Sequence, residues 1–286
     1  MAAQKSKLTH LTIFQPNVKN PPVNILTRVS RTIVVAVLLI LQVVFSSNCR
    51  SKYEQSGSSE LTVAAAADLT PAFEEIGKLF QDKFKVKIIY AFGSTGMLAQ
   101  QIENGAPVDV FAAANVSYVE QIESKGLIIL GSKTIYARGR ITLWVPKEST
   151  IKVETVKDLT REDVKRIAIA NPDHAPYGTA AREAFESAGI LSVVQPKLVY
   201  AENIRQTLQY AQTGNVEVAI VALSLSKQSD GRWALIPEEL HKPLNQALAI
   251  IKGTKNEGAA RQFSEFVRGP EGRAVLSKYG FEFPSN

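Results

Sequence analysis

Strand-like and helix-like runs alternate from Leu61 to Val267, which predicts an α/β protein with mixed, mainly parallel sheets flanked by helices. Two further observations divide it into two lobes around a cleft. The alternation falls into two sets, with the second beginning at Ile141. Each set also carries a glycine-containing, hydroxyl-bearing turn between an apolar strand and a helix: Gly93-Ser94-Thr95-Gly96 in the first, Asn171–Gly178 in the second. Open α/β sheets bind ligands at the carboxyl ends of their strands, where both turns fall.

The elements follow from periodicity. Leu61–Ala66 is a short apolar run, and Pro71–Phe84 has helical spacing through Phe73, Ile76, Leu79 and Phe80. Val86–Phe92 reads as a strand, Met97–Asn104 as a helix, Val108–Ala114 as a buried strand and Tyr118–Lys125 as a helix. The second set runs through a strand at Ile141–Val145 and a helix start at Thr155–Leu159. A strand at Ile167–Ala170 and a helix at Thr179–Ala188 follow. Then come a strand at Lys197–Tyr200, a helix at Ile204–Thr213 and a strand at Val218–Leu223. Trp233–Ile236 and Ala247–Ile251 are the last strand-like runs, and Ala259–Val267 is the expected final helix. Trp144 and Trp233 read as core near a hinge.

A turn that opens a helix directs unpaired backbone N–H groups outward with partial positive charge behind them, which makes a ready anion site. Neither turn carries the lysine of a nucleotide-binding P-loop, so a small anion held by neutral donors fits better than a nucleotide. The histidines are His10, His174 and His241, and the single cysteine is Cys49; a His/Cys metal cluster and an intrachain disulfide are excluded. No Gly-x-Ser-x-Gly elbow is present and no base stands beside Ser94 in sequence, which argues against a serine hydrolase. His174 reads as a residue that structures its turn.

The chain has 286 residues, 45% hydrophobic and 21% charged, with a formal charge of +6. Residues 1–48 hold Lys5, Lys7, Lys19, Arg28 and Arg31 without an acidic residue, so five of the six net charges lie there. A nucleic-acid surface thereby loses its support. Arg28 and Arg31 precede an apolar run from Ile33 to Phe45. Thirteen helical residues span about 20 Å, short of a bilayer core of about 30 Å. Residues 1–48 therefore read as an export signal or a membrane anchor, and 49–59 as a flexible tether. Cys49 stands where a bacterial lipoprotein is acylated; the alternative is an unmodified cysteine beside a cleavage site.

Leu61–Thr70, with its Ala-Ala-Ala-Ala-Asp-Leu-Thr end, resembles the first strand and turn of periplasmic molybdate-binding proteins. The similarity continues through Gly93–Gly96, Leu98-Ala99-Gln100-Gln101-Ile102, Gly105–Phe111, Asn171–Gly178, Ala201-Glu202-Asn203-Ile204 and Lys278-Tyr279-Gly280-Phe281, in order. The resemblance implies a type II solute-binding protein that closes on a tetrahedral oxyanion and delivers molybdate, and also tungstate, to an ABC importer permease. It implies a non-enzymatic, monomeric protein without cofactor, exported to the periplasm or the outer face of the membrane and held there by its anchor or a lipid. It also implies lobes at 60–138 plus 239–286 and at 139–238, with crossovers near Ala137–Ile141 and Ile236–Leu244.

By the same resemblance, Ser94 and Thr95 supply hydroxyl and backbone donors, and Ala67, Asp68, Tyr177 and Ile204 contribute mainly backbone N–H groups. Two departures from the family stand out. The first turn reads Ala67-Asp68 where a serine or similar polar donor is usual, and Ala222 stands where some members place a tyrosine hydroxyl. Losing one such donor costs about 1.5–3 kcal/mol, enough in a pair to turn a nanomolar site micromolar. Ser224 and Tyr177 are the available substitutes. Asp68 has three readings: a cap on the helix beginning near Pro71, an acceptor for a protonated ligand such as hydrogen phosphate, or a surface residue. Binding of phosphate or sulfate, an anion sensor, and a small-anion enzyme on the same scaffold are the alternatives.

Overall fold

Two five-stranded sheets form, and the chain crosses between them twice. The computed structural model describes residues 60–283; the export segment, the tether and Cys49 lie outside the described residues. The first sheet begins with β1 (Glu60–Ala66), a 3-10 turn at Ala67–Leu69 and α1 (Thr70–Phe84). It continues through β2 (Lys87–Gly93), α2 (Thr95–Glu103), β3 (Val110–Ala113), α3 (Val116–Ser124) and β4 (Thr134–Gly139). After Arg140 the second sheet takes β5 (Ile141–Pro146), β6 (Ile167–Ala170), α4 (Pro176–Ser187), α5 (Leu191–Val194) and β7 (Leu198–Ala201). It then adds α6 (Ile204–Gln212), β8 (Val218–Ala222), α7 (Leu223–Ser226) and β9 (Gly231–Leu235). The chain returns through β10 (Leu244–Ile250) and ends in α8 (Glu257–Arg268) and α9 (Pro270–Lys278).

The strand orders are β2-β1-β3-β10-β4 and β7-β6-β8-β5-β9. In the first sheet β1 runs parallel to β2 and β3, while β10 is antiparallel to β3 and β4. In the second, β6 runs parallel to β7 and β8, and β5 is antiparallel to β8 and β9. Interior strands β3 (VFAA) and β6 (IAIA) are buried throughout, as expected of parallel strands covered on both faces. Their alanines let the covering helices press close. α8 is fixed to α1 by aromatic edges: Phe263 meets Phe73 at 6.0 Å and Phe80 at 5.3 Å between ring centroids.

Several expectations are corrected. β4 is a strand absent from the expected elements, and the crossover expected near Ala137–Ile141 begins inside it. This strand is the edge of its sheet, and backbone bonds between Arg138 and Glu282 cover that edge. The final helix is α9, not the one at 259–267; Gly269-Pro270 reads as a stop, but proline at the first helical position starts a new helix. α4 likewise starts at Pro176, three residues before Thr179, and the helix start expected at Thr155–Leu159 is a 3-10 turn over Val156–Thr160 with a capping box at Thr155. Trp144 is buried, whereas Trp233 is 42% exposed on edge strand β9.

Arg140 sits at the first crossing. Its guanidinium lies 2.7 Å from Glu282 and 3.9 Å from Glu238 of the second crossing, and its carbonyl accepts from Leu223 N–H at 2.9 Å. The two crossings are thus tied to each other and to the chain end.

Candidate functional site

The carboxyl ends of β1, β2, β6 and β7 each lead into a helix start, and the turn after β1 and the starts of α2, α4 and α6 meet across one small chamber. It encloses about 200 Å³, mouth included, and is lined by Ala66, Ala67, Asp68, Gly93, Ser94, Thr95, Ala114, Ala175, Pro176, Tyr177 and Ile204. All six residues expected to bind ligand are therefore in one wall or another. Asp68 is the one charged side chain among those lining it.

Capping explains why donors remain available. Ser94 and Ala175, the residues before α2 and α4, make no side-chain cap. Before α6, the Asn203 side chain accepts from Arg205 N–H and Gln206 N–H, which skips Ile204. Among the described residues, the backbone N–H groups of Thr95, Tyr177 and Ile204 have no acceptor. Helix starts leave such groups open unless something caps them, and here they face a chamber. The Thr95 hydroxyl accepts from Ala114 N–H at 3.2 Å, which leaves its own proton to donate.

Ser94 is placed differently from a simple ligand donor. Its Oγ lies 2.8 Å from the His174 carbonyl and 2.7 Å from His174 Nδ1, while Gly96 N–H donates to the same carbonyl at 2.8 Å. The expectation that no base stands beside Ser94 is thus corrected, since the partner comes from the opposite sheet's turn. A hydroxyl has one proton. When it goes to the carbonyl, the imidazole must donate and cannot act as a base. The pair is a link across the cleft.

Asp68 does not cap α1. Leu69 holds the cap position, no side chain caps the helix, and the Asp68 carboxylate turns inward instead. Its Oδ2 accepts from the Tyr177 hydroxyl at 3.0 Å and from Gln246 Nε2 at 2.5 Å, and its Oδ1 is buried without a partner. Tyr136 donates to Gln246 Oε1 at 3.1 Å, which orients the amide. The Ser224 hydroxyl donates to the Asp68 carbonyl at 2.7 Å, so neither proposed substitute aims its hydroxyl at the chamber. Gln246 and Tyr136 escaped the sequence reading; the one signal was a glutamine inside the apolar run of β10. Gly139 also escaped it: a Cβ there would lie 2.2 Å from the Tyr177 hydroxyl.

Burial pushes the Asp68 carboxyl up from 3.8 to about 6, against the lowering effect of the Gln246, Tyr177 and backbone hydrogen bonds. Burial also holds the Tyr177 and Tyr136 phenols well above their ordinary value, with the Asp68 charge adding to it, so both remain donors. Because the folded value of Asp68 exceeds the unfolded one, its contribution to stability is full below pH 3.8 and is lost as pH rises through about 6. Asp68→Asn should accordingly stabilise the ligand-free protein by about 2 kcal/mol more at pH 8 than at pH 4. Urea unfolding of both proteins at the two pH values measures this. Taking the difference cancels the carboxylates held low, such as Glu217, which act oppositely. A difference independent of pH would refute it.

Two α/β lobes, joined by two crossings and enclosing a chamber of neutral donors, define a two-lobed ligand-binding protein. The family comparison agrees: the model of the bacterial extracellular solute-binding protein family matches residues 61–282, and the chain belongs to that family. The molybdate-binding protein ModA of Rhodobacter capsulatus is 34% identical over 228 residues, covering 79% of this chain and 89% of that protein. YvgL of Bacillus subtilis (strain 168), proposed to be an ABC transporter substrate-binding lipoprotein, is 30% identical, covering 87% and 96%. Among solved structures, the periplasmic molybdate-binding protein of Azotobacter vinelandii aligns with a TM-score of 0.75 and 28% identity, over 79% of this chain and all of that one.

Proposed function

We propose that this protein captures a tetrahedral oxyanion, molybdate and also tungstate, outside the cytoplasm and hands it to the permease of an ABC importer without chemical change. The observation that carries this reading is the meeting of three open N–H groups and the Thr95 hydroxyl on one enclosed chamber without a lysine or arginine in its wall. A fully ionised oxyanion needs a donor for each oxygen, and fixed dipoles supply them at no cost of reorganisation. The relatives named as molybdate-binding proteins support the choice of anion. The lobes at 60–138 with 239–286 and at 139–238 would close by bending at the two crossings. Tethering through Cys49 or residues 1–48, and action as a monomer, belong to the same proposal.

Titration calorimetry with molybdate, tungstate, sulfate and phosphate tests it. Submicromolar binding of the first two with no heat from the others is the expected result. A second reading has one observation in its favour, the buried Asp68 carboxylate in the wall, which a site for hydrogen phosphate would use to accept the ligand's own proton. Phosphate binding with molybdate silent would establish that reading and overturn the first.

A further inference from the structure

Resting on the oxyanion reading, we infer that capture of the anion is coupled to protonation of Asp68, which then donates a hydrogen bond from Oδ1 to a ligand oxygen. The starting point is geometric. Asp68 is fully buried in the chamber wall, Oδ2 already takes two donors, and Oδ1 has none. No other charged side chain lines this wall. A bare carboxylate oxygen there has the wrong sign for an anion, whereas the same oxygen carrying a proton supplies a donor.

The groups facing Asp68 are consistent with this. They are the phenols of Tyr136 from β4 and Tyr177 from α4, the Gln246 amide from β10 and the Ser224 hydroxyl from α7. None is a cation that would hold the carboxylate ionised. His174, across the chamber on Ser94, is the other titratable side chain at the site. Burial has already moved Asp68 to about 6 in the absence of ligand, and an arriving dianion moves it further in the same direction. The balance is simple: carboxylate, one solvent proton and the dianion become carboxylic acid hydrogen-bonded to the dianion.

Linkage then fixes the signature. Above the pKa of the ligand-free site, each pH unit should weaken binding about tenfold, because each capture must draw one proton from solvent. The test is calorimetry of the full chain with molybdate and tungstate between pH 7 and pH 9, run at pH 8 in two buffers of different ionisation enthalpy. The expected result is a loss of about 100-fold in affinity across the range and uptake of one proton per anion. Asp68→Asn, which keeps a donor of the same shape, should abolish both the slope and the uptake while still binding the anion. Wild-type affinity independent of pH, or a slope retained in Asp68→Asn, would overturn the inference and leave the oxyanion reading standing. Absence of molybdate and tungstate binding at every pH would overturn both.

Discussion

Gly178→Ala is expected to destabilise the protein by at least about 3 kcal/mol, although alanine favours helices by about 1 kcal/mol over glycine. Gly178 lies in the first turn of α4, and a Cβ built on it would stand 1.9 Å from the carbonyl oxygen and 2.6 Å from the carbonyl carbon of Ala170. Ala170 ends β6, a fully buried interior strand of the second sheet, so the atom to be displaced is backbone with little room. The clash outweighs the propensity gain. Its consequence reaches the site: the close approach of α4 to the end of β6 carries the Tyr177 N–H into the chamber wall. Urea denaturation should show the loss, and a variant within about 1 kcal/mol of wild type would refute the argument.

The parts of the fold legible in the sequence are those set by local periodicity. β6 is expected over the residues it occupies, and residues of the two glycine-containing, hydroxyl-bearing turns line one chamber. The six residues expected at the site all line the chamber. What could not be read is side-chain direction across long sequence separations. Asp68 in Ala67–Leu69 has the local signature of a cap, and only the folded chain places Tyr177 and Gln246, far along the sequence, beside its carboxylate. Ser94 has the signature of a ligand donor, and its partner His174 arrives from the other sheet. β4 fails for a related reason, because its identity as an edge strand depends on Glu282 and β10.

These misreadings share a location, the seam between the two lobes. Ser94 and Gly96 meet His174, Asp68 meets Tyr177, and Ser224 meets the Asp68 carbonyl. Each pairs residues of the first sheet's turns with residues of the second's. The polar part of the seam is thus a handful of bonds, each worth about 0.5–1.5 kcal/mol net, and charge-assisted ones more, beside an apolar cluster that draws on both sheets. A seam of that strength suits a protein that must close on its ligand and open again. The donors proposed to grip the anion and the bonds that join the lobes are neighbours on the same turns, which on that proposal makes ligand binding and closure physically one event.

Gly96→Val tests that identity directly. A Cβ at Gly96 would lie 2.8 Å from the His174 carbonyl oxygen, 2.9 Å from its Cα and 3.0 Å from its Cβ. All three atoms belong to the opposite lobe, so the extra methyls act as a wedge in the seam while α2 itself accepts them. Opening the seam also lengthens the bond from the residue's own N–H to the His174 carbonyl and draws the start of α4 away from the start of α2. The predicted outcome is an affinity for molybdate at least about 100-fold weaker, equivalent to about 2.7 kcal/mol. Resistance to urea without ligand should change by less than about 1 kcal/mol, because the added methyls meet the His174 turn and leave the strands of each sheet paired. The two readouts separate the explanations. Loss of both would mean that the substitution damages the first lobe, and wild-type affinity would mean that the anion is held without the lobes meeting at His174.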